Sequence, residues 1–105
     1  MHTVRIHAIF AAILLIGVSA GFAQAPGEAA YKAKCAMCHG ATGQADTPAG
    51  KATKTLPVSD PEVKKHSAEE MTGFVANGKD KMQPFKGKLS DAEINDVVAY
   101  FRTLK

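Results

Sequence analysis

Apolar residues recur with a helical period near the end of the chain. Ile94, Val97, Val98, Phe101 and Leu104 fall at i, i+3, i+4, i+7 and i+10, which places them on one face of a helix. Ser90-Asp91-Ala92-Glu93 stands before them as a capping box, so the spacing predicts a helix from Asp91 to about Leu104. Tyr100 lies beside the stripe. A shorter pattern, Met71, Phe74 and Val75, follows Ser67-Ala68-Glu69-Glu70 and ends at Asn77-Gly78. It predicts a second capped helix, from Ser67 to about Asn77. Asp60-Pro61 reads as N-cap and first residue of a short helix over about Pro61 to Lys65.

Upstream, Ala29, Ala30 and Ala33 favour helix and Glu28 suits the positive end of the helix dipole. A helix is expected from Glu28 to about Cys38, with Tyr31 on the face that carries Cys35. Tyr31 is the one large residue there and is expected to pack against another helix. From Gly40 to Leu56 there is no apolar periodicity, and Gly40, Gly43, Pro48 and Gly50 punctuate the stretch; it reads as a loop. Lys79 to Lys88 is irregular and basic, and Pro84 stiffens it. The chain shows no strand alternation and no internal repeat.

Residues 1–23 follow a different rule. Arg5 and His7 form a polar start, Ala8 to Val18 is an apolar run, and Ser19, Ala20, Gly21 and Ala23 are small. The run is shorter than the ~20 residues that span a bilayer and fits the core of a signal peptide. Cleavage after Ala23 satisfies the small-x-small rule with Gly21. An uncleaved membrane anchor is the alternative. Residues 24–105 form one expected domain of 82 residues. That is small for a self-sufficient core. Twelve Lys and Arg against ten Asp and Glu leave it a charge of +2, too mild to indicate nucleic-acid binding.

Chemistry concentrates in Cys35-Ala36-Met37-Cys38-His39. Two cysteines three apart followed directly by histidine form the C-x-x-C-H signal for covalent c-type haem attachment. Each sulfur adds to one porphyrin vinyl group, and one helical turn places both along one haem edge. His39 then lies under the iron, where a neutral imidazole serves as proximal ligand. Three other readings are weaker. A thioredoxin-like redox pair needs a βαβ pattern. A zinc site needs further cysteines or well-spaced histidines. A disulfide is permitted by export but leaves His39 idle. A covalent haem also supplies apolar surface that so short a domain lacks, and export fits c-type maturation outside the cytoplasm. The second acceptor for a buried His39 is expected from the carbonyl of Pro48 or a neighbour.

Together these residues resemble the class I monohaem cytochromes c, in particular the short bacterial ones. The likeness covers the whole of residues 24–105 and rests on Cys35-x-x-Cys38-His39, the helix with Tyr31, the Gly/Pro loop, and the run Asn77-Gly78, Met82-x-Pro84-Phe85, Leu89-Ser90 and Val98-Ala99-Tyr100-Phe101. In many relatives proline follows the ligand methionine directly; here Gln83 intervenes. The resemblance implies an all-α cytochrome c fold of three to four helices around one haem c, its first and last helices crossing with Phe101 near Tyr31. It implies thioethers at Cys35 and Cys38, His39 as proximal and Met82 as distal iron ligand.

The residues make their own case for Met82. A thioether is a soft ligand, and His/Met ligation raises the reduction potential. Met1 is in the leader, Met37 lies between the cysteines, and Met71 sits on an apolar helix face, where packing is its ordinary role. Met82 follows His39 by 43 residues, in a loop long enough to reach over the iron. His66 precedes a cap; it is a rival haem ligand, but a solvent-facing histidine is the usual case and is expected here.

The function expected is that of an exported, periplasmic, monomeric electron carrier without catalytic residues, serving redox partner proteins. Lys79, Lys81, Lys86 and Lys88 surround Met82 in sequence and are candidates to ring the haem edge and steer an acidic partner. The alternatives are a haem enzyme or enzyme module, or a gas-binding haem protein, each with an open or labile sixth position.

Overall fold

The computed structural model describes Gly17 and residues 24–105. The expected leader, Gly17 apart, lies outside the described residues. Six helical segments follow in order: α1 (Glu28–Lys34), α2 (Ala36–His39), α3 (Pro48–Ala52), α4 (Pro61–Lys64), α5 (Ala68–Asn77) and α6 (Asp91–Thr103). Three of them, α1, α5 and α6, are longer than five residues, and α2, α3 and α4 are one-turn pieces. Among the described residues there is no strand, only isolated bridges Lys79–Met82 and Lys86–Leu89. No helix of the described residues is long and apolar enough to cross a membrane.

Helix α6 organises the core. Its capping box is complete, with Glu93 N–H donating to Ser90 Oγ at 3.1 Å and Ser90 N–H to Glu93 Oε1 at 3.1 Å. Its apolar stripe serves two clusters. Ile94 and Val98 pack with Val75, Phe85 and Leu89, joined by Met71 and Met82. Val97 packs with Tyr31 and Cys35, joined by Tyr100, Phe101 and Leu104. Two consecutive residues thus face different helices, α5 and α1, because 100° of rotation separates them on a helix. Burial of these side chains from water is the main favourable term holding the three longer helices together.

The expected crossing of first and last helices is present. Gly27, with φ 83°, lies so close to α6 that a Cβ there would sit 2.2 Å from the Asp96 carbonyl oxygen. Only glycine satisfies both the left-handed backbone and that approach. Tyr31, expected to pack against another helix, is 1 % exposed and lies 5.3 Å from the Tyr100 ring and 6.2 Å from that of Phe101.

Three expectations are corrected, and the expected all-α fold holds with more one-turn pieces than expected. The helix from Glu28 to Cys38 is two segments, with the break at Cys35 (φ −115°), and Cys38 N–H donates to Cys35 O at 3.2 Å in a tightened turn. The stretch from Gly40 to Leu56 is not all loop: α3 starts at Pro48 behind the N-cap Thr47, whose Oγ1 accepts from Gly50 N–H at 2.9 Å. Five residues are too few to show a period, although Thr47-Pro48 is the same cap signature as Asp60-Pro61. The box at Ser67 is half formed. Ser67 Oγ accepts from Glu70 N–H, but the Glu70 carboxylate turns to His66 Nδ1 at 2.7 Å. The helices exceed the expected three to four because one-turn pieces carry no periodic signal.

Candidate functional site

Helices α1, α2, α5 and α6 and the segment after α5 enclose a cavity of about 770 Å³. This is within the roughly 300–1,000 Å³ typical of ligand sites. Cys35, Cys38 and His39 line one part of it; Met71, Phe74 and Val75 of α5, Met82 and Phe85 after it, and Phe101 of α6 line another, and the stretch from Thr53 to Leu56 and the α4 region contribute as well. The structure therefore brings the four expected site residues, Cys35, Cys38, His39 and Met82, to one cavity. The break at Cys35 assists this, since it re-aims the turn that carries Cys38 and His39.

Local bonds fix the proximal segment. His39 N–H donates to Cys35 O at 3.0 Å, and Ala45 N–H donates to His39 O at 2.8 Å. Thr47 Oγ1 donates to Met37 O at 2.6 Å, so the cap of α3 also pins the chain between the two cysteines. The His39 ring meets Phe101 edge-on at 5.3 Å. Burial pushes the His39 pKa down, which favours the neutral imidazole that a metal requires. The buried Cys35 thiol is pushed up to about 11 by desolvation. Cys35 and Cys38 are not joined to each other by a disulfide.

His39 Nδ1 is buried and has no hydrogen-bond partner. The expected acceptor, the Pro48 carbonyl, does not take its proton. Pro48 is the first residue of α3, and the direction in which its carbonyl points is set by that helix, which the sequence did not disclose. An orphaned buried ring nitrogen is costly; in a ligating histidine it is the nitrogen that donates to an outer acceptor, leaving the other for the metal. No three His, Cys, Asp or Glu side chains among the described residues converge as metal ligands, so a zinc site finds no third ligand. The lining holds two thiols, the imidazoles of His39 and His66 and the thioethers of Met71 and Met82 around a space of cofactor size, and the pairing of both thiols with the adjacent His39 fits a haem held through Cys35 and Cys38.

Other expected residues divide. Lys79 and Lys81 border the cavity, whereas Lys86 and Lys88 do not. Lys88 Nζ lies 3.2 Å from Gln83 Oε1 and over the Phe85 ring. Lys34, Lys54 and Lys65, which sequence spacing did not single out, border the cavity as well and are exposed. His66 is half-buried rather than solvent-facing; it lines the cavity, with its ring edge-on to Phe74 at 4.9 Å. Glu70 holds its Nδ1. Met71 packs against the α5–α6 cluster, as expected, and also reaches the cavity.

Comparison with known proteins agrees with this chemistry. The family model described as cytochrome c oxidase, cbb3-type, subunit III matches residues 22–101. Cytochrome c6 of Synechocystis sp. is 36 % identical over 77 residues, covering 72 % of this chain and 61 % of its own. Cytochrome c6 of Nostoc sp. is 41 % identical over 75 residues, covering 67 % and 60 %. The chain thus spans about three fifths of the length of these relatives. The solved structure of the KustC0563 c-type cytochrome superposes with a TM-score of 0.69 at 31 % identity, over 75 % of this chain and 96 % of that one. With a mostly helical fold, a cavity bounded by the C-x-x-C-H segment, and these relatives, the chain belongs to the cytochrome c family, as a small class I monohaem cytochrome c with covalently bound haem c.

Proposed function

We propose that this protein is an exported monohaem electron carrier whose iron is held by His39 and Met82. Cys35 and Cys38 carry the two thioethers. Residues 1–23 are the leader that directs export to the periplasm, and residues 24–105 are the working, monomeric domain. The observation that supports this reading is that His39 and Met82, from separate elements, line the same cavity as both cysteines. With both axial positions filled by the chain, oxygen and peroxide have no ready access to the metal. A haem held by Cys35, Cys38, His39 and Met82 would supply one-electron redox chemistry with no position left open for a substrate. His/Met ligation favours a raised potential.

Redox partner proteins dock, in this reading, where the haem edge nears the surface. Lys34, Lys54, Lys65, Lys79 and Lys81 border the cavity against Glu62 and Asp80. This surplus of positive charge suits an acidic partner and raises the encounter rate at low salt. Lys86 and Lys88 extend the patch along the chain without bordering the cavity.

The test is spectroscopic. The carrier is expected to be low-spin in both oxidation states, to show the weak long-wavelength band of a ferric–thioether bond, and to resist CO when reduced. Ready CO binding and no such band would favour a haem enzyme or a gas-binding protein instead. Electron-transfer rates with the native partner that ignore ionic strength would remove the lysine patch.

A further inference from the structure

The segment that carries Met82 is strapped to the end of α5. Gly78 N–H donates to Phe74 O at 2.8 Å, Phe85 N–H to Val75 O at 2.9 Å and Lys86 N–H to Ala76 O at 3.1 Å. These are three of the four carbonyls that the end of a helix leaves without an internal partner. Inside the strap, Lys79 and Met82 exchange both backbone bonds, at 3.1 and 2.8 Å, closing a two-residue turn over Asp80 and Lys81. The turn is closed on itself, and Phe85 and Lys86 tie its far side to α5.

Two residues make this path possible, and both stand at positive φ. Gly78 has φ 80° and ψ 161°, a region that is essentially closed to residues with a side chain. A Cβ at Gly78 would lie 2.8 Å from the Met82 carbonyl oxygen and 3.1 Å from Pro84 N. Asp80 has φ 52°, tolerable for aspartate but an outlier for a β-branched residue. Its side chain is 86 % exposed, so its shape matters to the turn and not to a core.

We propose that Gly78 and Asp80 are positioning residues for Met82: their left-handed backbone sets the register at which the turn presents the Met82 thioether to the iron. The inference rests on the reading that Met82 is the distal ligand. A side chain at position 78, or a β-branched one at 80, forces the turn open while the strap to α5 and the proximal side stay in place. The effect is a larger fraction of protein with Met82 withdrawn from the iron.

External imidazole reads that fraction, since it binds ferric iron only where the methionine has left. Its apparent affinity scales with the open population. The experiment uses the full holoprotein and compares wild type, Gly78→Ala, Asp80→Gly, Asp80→Val and Met82→Ala, with Gly73→Ala as a control. Gly73 lies in α5 with nothing within 4 Å of its missing Cβ. Gly78→Ala is expected to weaken the thioether band and bind imidazole roughly tenfold or more tightly than wild type. Asp80→Gly and Asp80→Val both remove the carboxylate, so the tighter binding expected of the valine variant isolates the backbone. Gly73→Ala is expected to match wild type. Equal imidazole affinity in Asp80→Val and Asp80→Gly overturns the proposal even if Gly78→Ala fails to fold. So does a Gly78→Ala protein with the wild-type band and affinity. If Met82→Ala keeps the band, the ligand assignment itself has failed, which is a different outcome from failure of the turn.

Discussion

The phenol of Tyr31 donates a hydrogen bond of 2.6 Å to the carbonyl of Gly40. The bond ties α1 to the residue that ends α2, directly after His39. Tyr31→Phe keeps the ring contacts with Tyr100 and Phe101 but leaves that carbonyl without its donor, and is expected to cost about 1 kcal/mol. Burial also pushes the Tyr31 pKa well above its ordinary value of 10.0. In unfolded chain the phenol loses its proton near pH 10, while the folded protein keeps it. The folded state then binds more protons, so stability falls as pH rises above about 10 and is fully present below. Urea midpoints at pH 8 and pH 11 measure the drop. It should be smaller in Tyr31→Phe; an equally steep drop in both proteins would refute the assignment.

Met71 and Met82 both reach the cavity, so mutation has to separate them. Met82→Ala should abolish the ferric–thioether band, lower the potential and admit CO. Met71→Ala should keep the band and lose about 2 kcal/mol of packing. The reverse pattern would exchange their roles.

Phe101 stands between His39 and α1, with its ring against those of both His39 and Tyr31. Phe101→Ala should destabilise the holoprotein by about 3 kcal/mol. A loss within the ~0.5 kcal/mol usual at surface sites would show that neither contact matters to stability.

Gly73 occupies the interior of α5 with open space where a Cβ would go. Gly73→Ala should stabilise the protein by about 0.5–1 kcal/mol, because alanine restricts the unfolded chain and meets no neighbour. Thermal melts of the two holoproteins test this, and a lowered melting temperature would mean that the open space is needed.

Much of the fold was legible in the residues alone, and the reason is that the signals are local. Helix α6 announces itself through five apolar residues on one face and a complete capping box, both contained in fifteen consecutive positions. Helices α4 and α5 begin where Asp60 and Ser67 were read as caps. The five residues Cys35 to His39 pointed to haem c because covalent attachment depends on spacing within a single turn. The family followed from that motif together with the distribution of Gly, Pro and Met after it.

Tertiary structure decided what depends on residues distant in sequence. Period alone cannot say that Val97 faces α1 while Val98 faces α5, since that assignment exists only once both helices have packed. The break at Cys35 and the one-turn α3 escaped because segments of a few residues are stabilised by contacts such as Thr47 with Met37, not by their own propensity. The Glu70 carboxylate is shared, one oxygen meeting His66 Nδ1 and the other accepting from Ser67 Oγ, because His66 competes for it. Proximity in sequence suggests Lys86 and Lys88 beside Met82, but they do not border the cavity, and Lys34 of α1, Lys54 after α3 and Lys65 at the end of α4, all distant from Met82 in sequence, do. Likewise, the partnerless Nδ1 of His39 is a property of how α2 and α3 meet, and no pattern within either segment encodes it.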